Sequence, residues 1–322
     1  MHTKYYGIYA SYIEQLVALK RQLGFKYKTE EYFLSLFDKF TISKGETVVG
    51  ITKGFAEQWC KPNANESESY RYRKACCINQ LSSFLSKQGI TSYILQMPRF
   101  KYNFCPYIFS KQQIEAIFNA CDNLMLQSGL KSIIISIPSL IRLLYATGLR
   151  IGEALALKDK DMNLDECYLI VKDSKNGQER IIPISNSLCK VLKEYAEYRN
   201  KIPVSKSDYF FVSLAGTRCQ VCDVQRWFKR VLKKAKIERT TTGPRLHDLR
   251  HTFCVHSLAM MAESGMDLYC SLPVLSRYIG HLSMQSTNGY VRLTADMYPG
   301  LLKEVEIVCF NIFPKLDQNE TN

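Results

Sequence analysis

Four of the chain's five histidines, His247, His251, His256 and His281, fall within 35 residues. In LHDLRHTF, His247 and Arg250 are three positions apart, a spacing that on a helix puts both on one face. An arginine offers a permanent, forked cation suited to phosphate oxygens, and a histidine beside it exchanges a proton near neutral pH. By itself an H-x-x-R pair is common on helices, and it gains weight only from its company. Arg150 lies in ATGLRIGEALAL, where Gly148 breaks one helix and IGEALAL begins another. An arginine at such a junction is held rigidly, next to a helix N-terminus that favours anions. Lys175 sits at the tip of a polar turn, where it either reaches a ligand or simply keeps the turn soluble. IGHLSMQSTNGY then supplies Gly280-His281 and, nine positions on, Tyr290. Asp248, next to His247, resembles a metal ligand, but helix capping is the plainer account.

The elements that must position these groups are legible in outline. Residues 1–95 read as a four-helix domain without a sheet. Tyr9, Tyr12, Ile13, Leu16, Leu19 and Leu23 recur at helical spacing up to Gly24, and Tyr32, Phe33, Leu36, Phe37 and Phe40 repeat the pattern. Thr52 caps a short helix carrying Phe55 and Trp59. A longer helix from about Ser67 to Gly89 turns Tyr70, Ala75, Ile78, Leu81 and Leu85 inward. It also carries Arg71, Arg73 and Lys74, which form either a solvated face or a grip for backbone phosphates. Periodicity fails between Thr91 and Ser110, where two prolines and many aromatics mark a linker, assigned to residues 96–109; Ser110 caps the next helix. Residues 110–322 form a mixed α/β domain with a C-terminal tail. Its helices run near 111–125, 139–146, 186–199, 222–236, 247–262, 272–280, 284–292 and 298–310. Between the second and third lies a hairpin, CYLIV and RIIPI around Asn176-Gly177. The fold class is thus mostly α with a small β-sheet.

Composition narrows the function. Hydrophobic residues make up 46% of the 322, enough for packed cores and too many for a disordered chain. No run of 18 uncharged apolar residues exists, so no membrane partner is expected, and MHTKYYGIYA has no apolar signal core. Twelve cysteines scattered through a long chain, several in apolar segments, read as reduced thiols of a cytoplasmic protein. Cys219 and Cys222 form one C-x-x-C with no second pair at zinc spacing, so no metal and no cofactor is expected. The net charge is +13, with 14 basic and 8 acidic residues in the first hundred and 29 and 22 in the remainder. Both parts are basic, as two surfaces gripping one polyanion, most simply nucleic acid, would be.

The ordered set of Arg150 in ATGLR-I-GE, Lys175 in a hairpin followed by ERIIPI, HDLRHTF, IGH and a tyrosine nine residues beyond resembles the tyrosine recombinases, the phage-integrase and Xer-type enzymes. The resemblance covers roughly residues 108–295, with six positions in order and spacing. It implies that Arg150, Lys175, His247, Arg250, His281 and Tyr290 are catalytic and that Glu153 supports the first arginine. The helical N-terminal half resembles the family's core-binding domain in pattern only. GMDLYCSLPVLSRYIGH is longer than is typical before IGH and reads as a surface extension.

The implied reaction cuts and rejoins duplex DNA through a 3′-phosphotyrosyl intermediate. The arginines would clamp nonbridging oxygens, His247 would accept a proton or bind oxygen, and His281 would hydrogen-bond the phosphate. Lys175 would protonate the departing 5′-oxygen, and Tyr290 would be the nucleophile. The expected partners are double-stranded DNA carrying inverted-repeat sites and three further copies of the chain, a homotetramer on paired sites. After Tyr290, the apolar residues Leu301, Leu302, Val305, Val308, Phe310, Ile312 and Phe313 would pack on a neighbouring protomer. The alternatives are a type IB topoisomerase, which shares these residues and the first step, and a non-catalytic DNA-binding regulator, which would have no use for a nucleophile.

Overall fold

The computed structural model describes residues 4–64, 66–97, 105–125, 129, 132–172, 179–202, 207–240, 243–281 and 285–298. The chain divides into two compact units, Met1–Phe104 and Cys105–Asn322. Among the described residues it is mostly helical, with one three-stranded antiparallel sheet.

In the first unit the helices are α1 (Ala10–Gln22), α2 (Lys28–Ser43), α3 (Lys53–Cys60) and α4 (Glu68–Lys87). The Thr52 hydroxyl accepts from Phe55 N–H at 3.3 Å and the Ser67 hydroxyl from Tyr70 N–H at 3.2 Å, so both caps supply acceptors for otherwise unpaired amides. Ile13, Leu16, Leu34, Phe37, Phe55, Trp59, Ile78, Leu81 and Leu85 share one core. Leu19 and Leu23, which continue the helical spacing of α1, are instead 42% and 62% exposed. The buried stripe of α1 ends at Val17, because periodicity places residues on a face but the neighbouring helices decide how far that face is covered.

The second unit opens with α5 (Lys111–Asp122), started by a capping box between Ser110 and Gln113. Then follow α6 (Ile137–Thr147), with Pro138 in its first turn, and the short α7 (Ile151–Ala154). The sheet consists of β1 (Met162–Asn163), β2 (Tyr168–Val171) and β3 (Arg180–Pro183). β2 and β3 are the two arms expected from CYLIV and RIIPI, paired Tyr168 to Pro183 and Val171 to Arg180; β1 is too short for its period to be read. The turn holding Lys175 lies outside the described residues. Helices α8 (Asn186–Asn200), α9 (Val221–Lys234), α10 (Asp248–Glu263), α11 (Leu268–Ile279) and α12 (Gln285–Met297) complete the unit. The expected helix at 298–310 and the apolar tail lie beyond the described residues.

Helix α10 is the centre of the site, packed against α6, α11 and α12. The segment before IGH is not a surface extension. It forms α11, and its Leu272, Leu275 and Ile279 are buried with Cys254, Val255, Leu258 and Tyr290. Three apolar residues at helical spacing in CSLPVLSRYI find a core once α10 and α12 are beside them.

Candidate active site

Helix ends converge on the candidate residues. Gly148 closes α6 in the left-handed conformation (φ 60°), and the ring of Phe253 occupies the space where a Cβ would stand, so only glycine fits. Two residues later Arg150 precedes α7, whose Glu153 reaches back to accept from the Arg150 amide at 3.1 Å. The Glu153 carboxylate also receives the Arg150 guanidinium at 2.7 Å, and Arg150 Nη2 donates to the Gly280 carbonyl at 3.3 Å. Arg250, in the first turn of α10 and 2% exposed, donates to the carbonyls of Gly148 (2.6 Å) and Ile279 (2.8 Å). Both arginines are therefore anchored on carbonyls at the C-terminal ends of α6 and α11, where the helix dipoles favour cations. The anchoring fixes their direction and retains their charge.

Arg180, the first residue of β3, completes the frame. It donates to Glu153 Oε2 at 2.8 Å and through Nε to the Tyr278 carbonyl at 3.0 Å. A Cβ on Gly280 (φ 69°) would stand 2.9 Å from its guanidinium. One carboxylate thus links the hairpin arm, Arg150 and the turn that presents His281. Burial pushes the Glu153 carboxyl up, but hydrogen bonds from Arg180 and Arg150 outweigh it and leave the group below the usual carboxylate range. Arg180 carried no signal as a separate motif. Its position in ERIIPI, on the same strand face as buried Ile182, is the clue that a cation would be turned inward. Arg180→Met should cost roughly 1–3 kcal/mol, since Glu153 keeps one partner and loses another. Urea unfolding of the variant and wild type checks this.

The histidines occupy one wall. His247 caps α10, and His251, one turn on, packs its ring edge-on at 4.9 Å. Desolvation, then the guanidiniums of Arg250, Arg150 and Arg245, push His247 down to about 4. His281 follows α11, pairs its Nδ1 with the Thr287 hydroxyl at 3.0 Å, and is pushed to about 4 by burial and by Arg250 and Arg150. His251 is pushed to about 3 by burial, His247 and Arg250.

These shifts have a pH consequence. A histidine neutral in the fold but protonated when unfolded contributes stability that is present above about pH 6.5 and lost as pH falls towards 4. At pH 5, His251 and His281 together should remove roughly 2–4 kcal/mol. Calorimetry from pH 7.5 to 4.5 should show Tm falling across that window, and less steeply in His251→Gln.

Tyr290 projects from α12 into this wall. It is 6% exposed; its hydroxyl lies 2.9 Å from His251 Nδ1, and its ring stacks on His281 with centroids 6.2 Å apart. Burial, then the neighbouring Cys254 thiol, raise the phenol well above its usual range, against the pull of Arg250. Arg150, His247, Arg250, His281 and Tyr290 are thereby brought into one cluster, with Glu153 behind Arg150. Sequence reading gave no role to His251, although its position four residues after His247 puts it on the same face.

Other cations fall elsewhere. Lys172, beside the hairpin turn, is held by Asp161 at 2.5 Å. In the first unit Arg73 is exposed and Arg71 half-buried. Lys74 departs from the expected phosphate grip: it is 5% exposed, its ammonium pairs with Glu66 at 3.0 Å and lies over the Trp59 ring, so it serves as a structural cation. No described helix is long and apolar enough to cross a membrane.

A helical domain with a small sheet, in which paired arginines and histidines surround a tyrosine on a late helix, defines the class of tyrosine recombinases. The phage integrase family profile matches residues 108–297. An integrase/recombinase homologue of Sinorhizobium fredii is 27% identical over 91% of this chain and 96% of its own length. Tyrosine recombinase XerA of Pyrococcus horikoshii is 26% identical over 72% of this chain and 73% of its own. The fold is shared with XerH site-specific recombinase bound to palindromic difH substrate (TM-score 0.64, 20% identity, 86% of this chain and 79% of that one). It is shared also with the Tn1549 transposon integrase in complex with circular intermediate DNA (TM-score 0.64, 16% identity, 87% and 94%). This chain belongs to the phage integrase family.

Proposed function

We infer that the protein is a site-specific DNA recombinase of a mobile element, cutting and rejoining duplex DNA through a 3′-phosphotyrosyl intermediate. The observation that carries the reading is the convergence of Arg150, Arg250, His247, His281 and Tyr290 on the facing ends of α6, α7, α10 and α11. Two anchored guanidiniums make a rigid seat for a phosphodiester and stabilise the extra charge of its transition state. His281 hydrogen-bonds the phosphate, and Glu153 holds Arg150 in place. Lys175, the lysine that the family resemblance makes the general acid, protonates the departing 5′-oxygen. The covalent bond to Tyr290 conserves the energy of the broken phosphodiester, so a free 5′-hydroxyl reseals it without ATP.

Double-stranded DNA with inverted-repeat sites is the proposed substrate, and a homotetramer on paired sites the proposed working assembly. Arg71 and Arg73 contribute phosphate contacts from the first unit. The reading places the protein in the cytoplasm. A relative of integrase/recombinase type matching 91% of the chain favours strand exchange over topoisomerase activity. The test uses DNA flanking the gene, searched for inverted repeats around a short spacer and built as a nicked suicide substrate. An SDS-resistant protein–DNA adduct on that site, absent on scrambled DNA, is expected. Relaxation of any supercoiled plasmid without site preference would favour the topoisomerase, and binding without adduct the regulator.

A further inference from the structure

A tyrosine that attacks phosphorus must lose its proton, and Tyr290 is nearly sealed from solvent, so an inside group has to receive it. We propose that His251 is that group: its Nδ1 takes the phenol proton of Tyr290 as the nucleophile attacks. The inference rests on the recombinase reading and assigns one further catalytic residue within it.

Geometry selects His251 over its neighbours. Its Nδ1 is 2.9 Å from the Tyr290 hydroxyl, within reach for direct transfer. The His281 ring runs nearly parallel to the phenol at 16°, offset with centroids 6.2 Å apart, and its Nδ1 is engaged by the Thr287 hydroxyl. His247 stands one turn away, edge-on to the His251 ring. Helix α10 thus supplies Arg250 to the phosphate and His251 to the nucleophile from one turn of backbone.

The surroundings make this base conditional on DNA. Among the described residues, the groups facing His251 include Arg250 on its own helix, His247 at the cap of that helix, Arg245 before it, His281 from the end of α11, and Tyr290 from α12. In the free protein burial, together with the guanidiniums of Arg250 and Arg245, keeps the imidazole neutral, its Nδ1 set against the phenol but weakly basic. A phosphodiester seated between Arg150 and Arg250 brings a negative charge that offsets the field and raises the proton affinity of His251. Tyr290 is then activated only when a phosphate is in place to receive it.

The step balances. The Tyr290 O–H bond breaks and its proton passes to Nδ1; the phenol oxygen bonds to phosphorus as the P–O5′ bond breaks, and Lys175 gives a proton to the departing oxygen. In resealing, the 5′-hydroxyl returns a proton to Lys175, the tyrosyl–phosphorus bond breaks, and the phenol oxygen recovers its proton from His251. No proton or electron is consumed over the cycle.

Single-turnover cleavage of the nicked suicide substrate by the full-length protein tests the assignment. His251→Ala should bind the DNA as wild type does and cleave about a hundred- to ten-thousandfold more slowly. Added imidazole should restore the rate in proportion to its concentration. His251→Asn, which accepts a hydrogen bond but cannot take a proton, should stay slow. An unslowed His251→Ala, a His251→Asn at the wild-type rate, or no response to imidazole would each overturn the assignment while wild type still forms adduct. Wild-type protein that forms no adduct would instead overturn the recombinase reading, and this proposal with it.

Discussion

Tyr290→Phe should bind its DNA site with wild-type affinity and form no covalent adduct. The change removes one oxygen from a ring that is 6% exposed and packed with Cys254, Val255, Leu258 and Ile279, so the fold keeps its core. The loss of the His251 hydrogen bond costs about 1 kcal/mol. The effect on reaction is of another order, because no atom remains to carry the phosphoryl group. Nineteen other tyrosines are present, and two lie near the site. The Tyr278 hydroxyl is committed to the Pro183 carbonyl at 3.1 Å, and the Tyr298 ring packs against His256 on the far side of α10 from His251. An adduct in Tyr290→Phe, mapped by peptide mass to either, would show that the nucleophile lies elsewhere.

The second large effect separates the roles of Lys175 and Arg150. An alkoxide is a poor leaving group at neutral pH, and general-acid help is typically worth about a hundred- to ten-thousandfold. Lys175→Ala should slow cleavage by roughly that range and leave affinity nearly intact, since one phosphate contact is a small part of a DNA footprint. Replacing the bridging 5′-oxygen of the scissile phosphate with sulfur makes the leaving group a thiolate that needs no proton. On that substrate the defect of Lys175→Ala should largely vanish. Arg150→Ala should stay defective, because in the proposed reaction its guanidinium acts on nonbridging oxygens that sulfur does not relieve. A defect of Lys175→Ala that persists on the sulfur substrate would mean the lysine positions the phosphate. Lys172 is a weaker second candidate for the acid, because leaving Asp161 would strand a carboxylate that is 4% exposed.

Much of the candidate site is legible along the chain because its groups sit at fixed local offsets. His247 neighbours both Arg250 and His251 through helical period alone, and Glu153 reaches Arg150 across a single turn. The caps Thr52, Ser67 and Ser110 are local as well, each hydroxyl answering an amide three residues on. The hairpin arms β2 and β3 follow from β-rich runs either side of Asn176-Gly177.

Interactions across long separations in sequence are decided by packing. Arg180 reaches Tyr278 over 98 residues, and Arg250 reaches Gly148 over 102. Neither has a local signature, since a backbone carbonyl is an acceptor at every position. The same limit explains Lys74, which looks like its neighbour Arg73 until Glu66 and Trp59 close over it, and Leu19 and Leu23, whose spacing promised a core that no neighbour supplies. It explains α11 too, whose apolar residues are unremarkable until α10 and α12 bury them.

The sequence by itself determined the kinds of chemistry available: two forked cations, a set of imidazoles and a phenol, in the order of a tyrosine recombinase, on a chain basic from end to end. Tertiary structure decided the protonation and aim of those groups. Helix ends supply the carbonyls that orient Arg150 and Arg250, and burial together with close-set cations holds the histidines neutral. The meeting of Tyr290 with His251, 39 residues away in the chain, depends on α12 lying against α10. Such effects depend on distance and dielectric in three dimensions, which residue order specifies only through the fold.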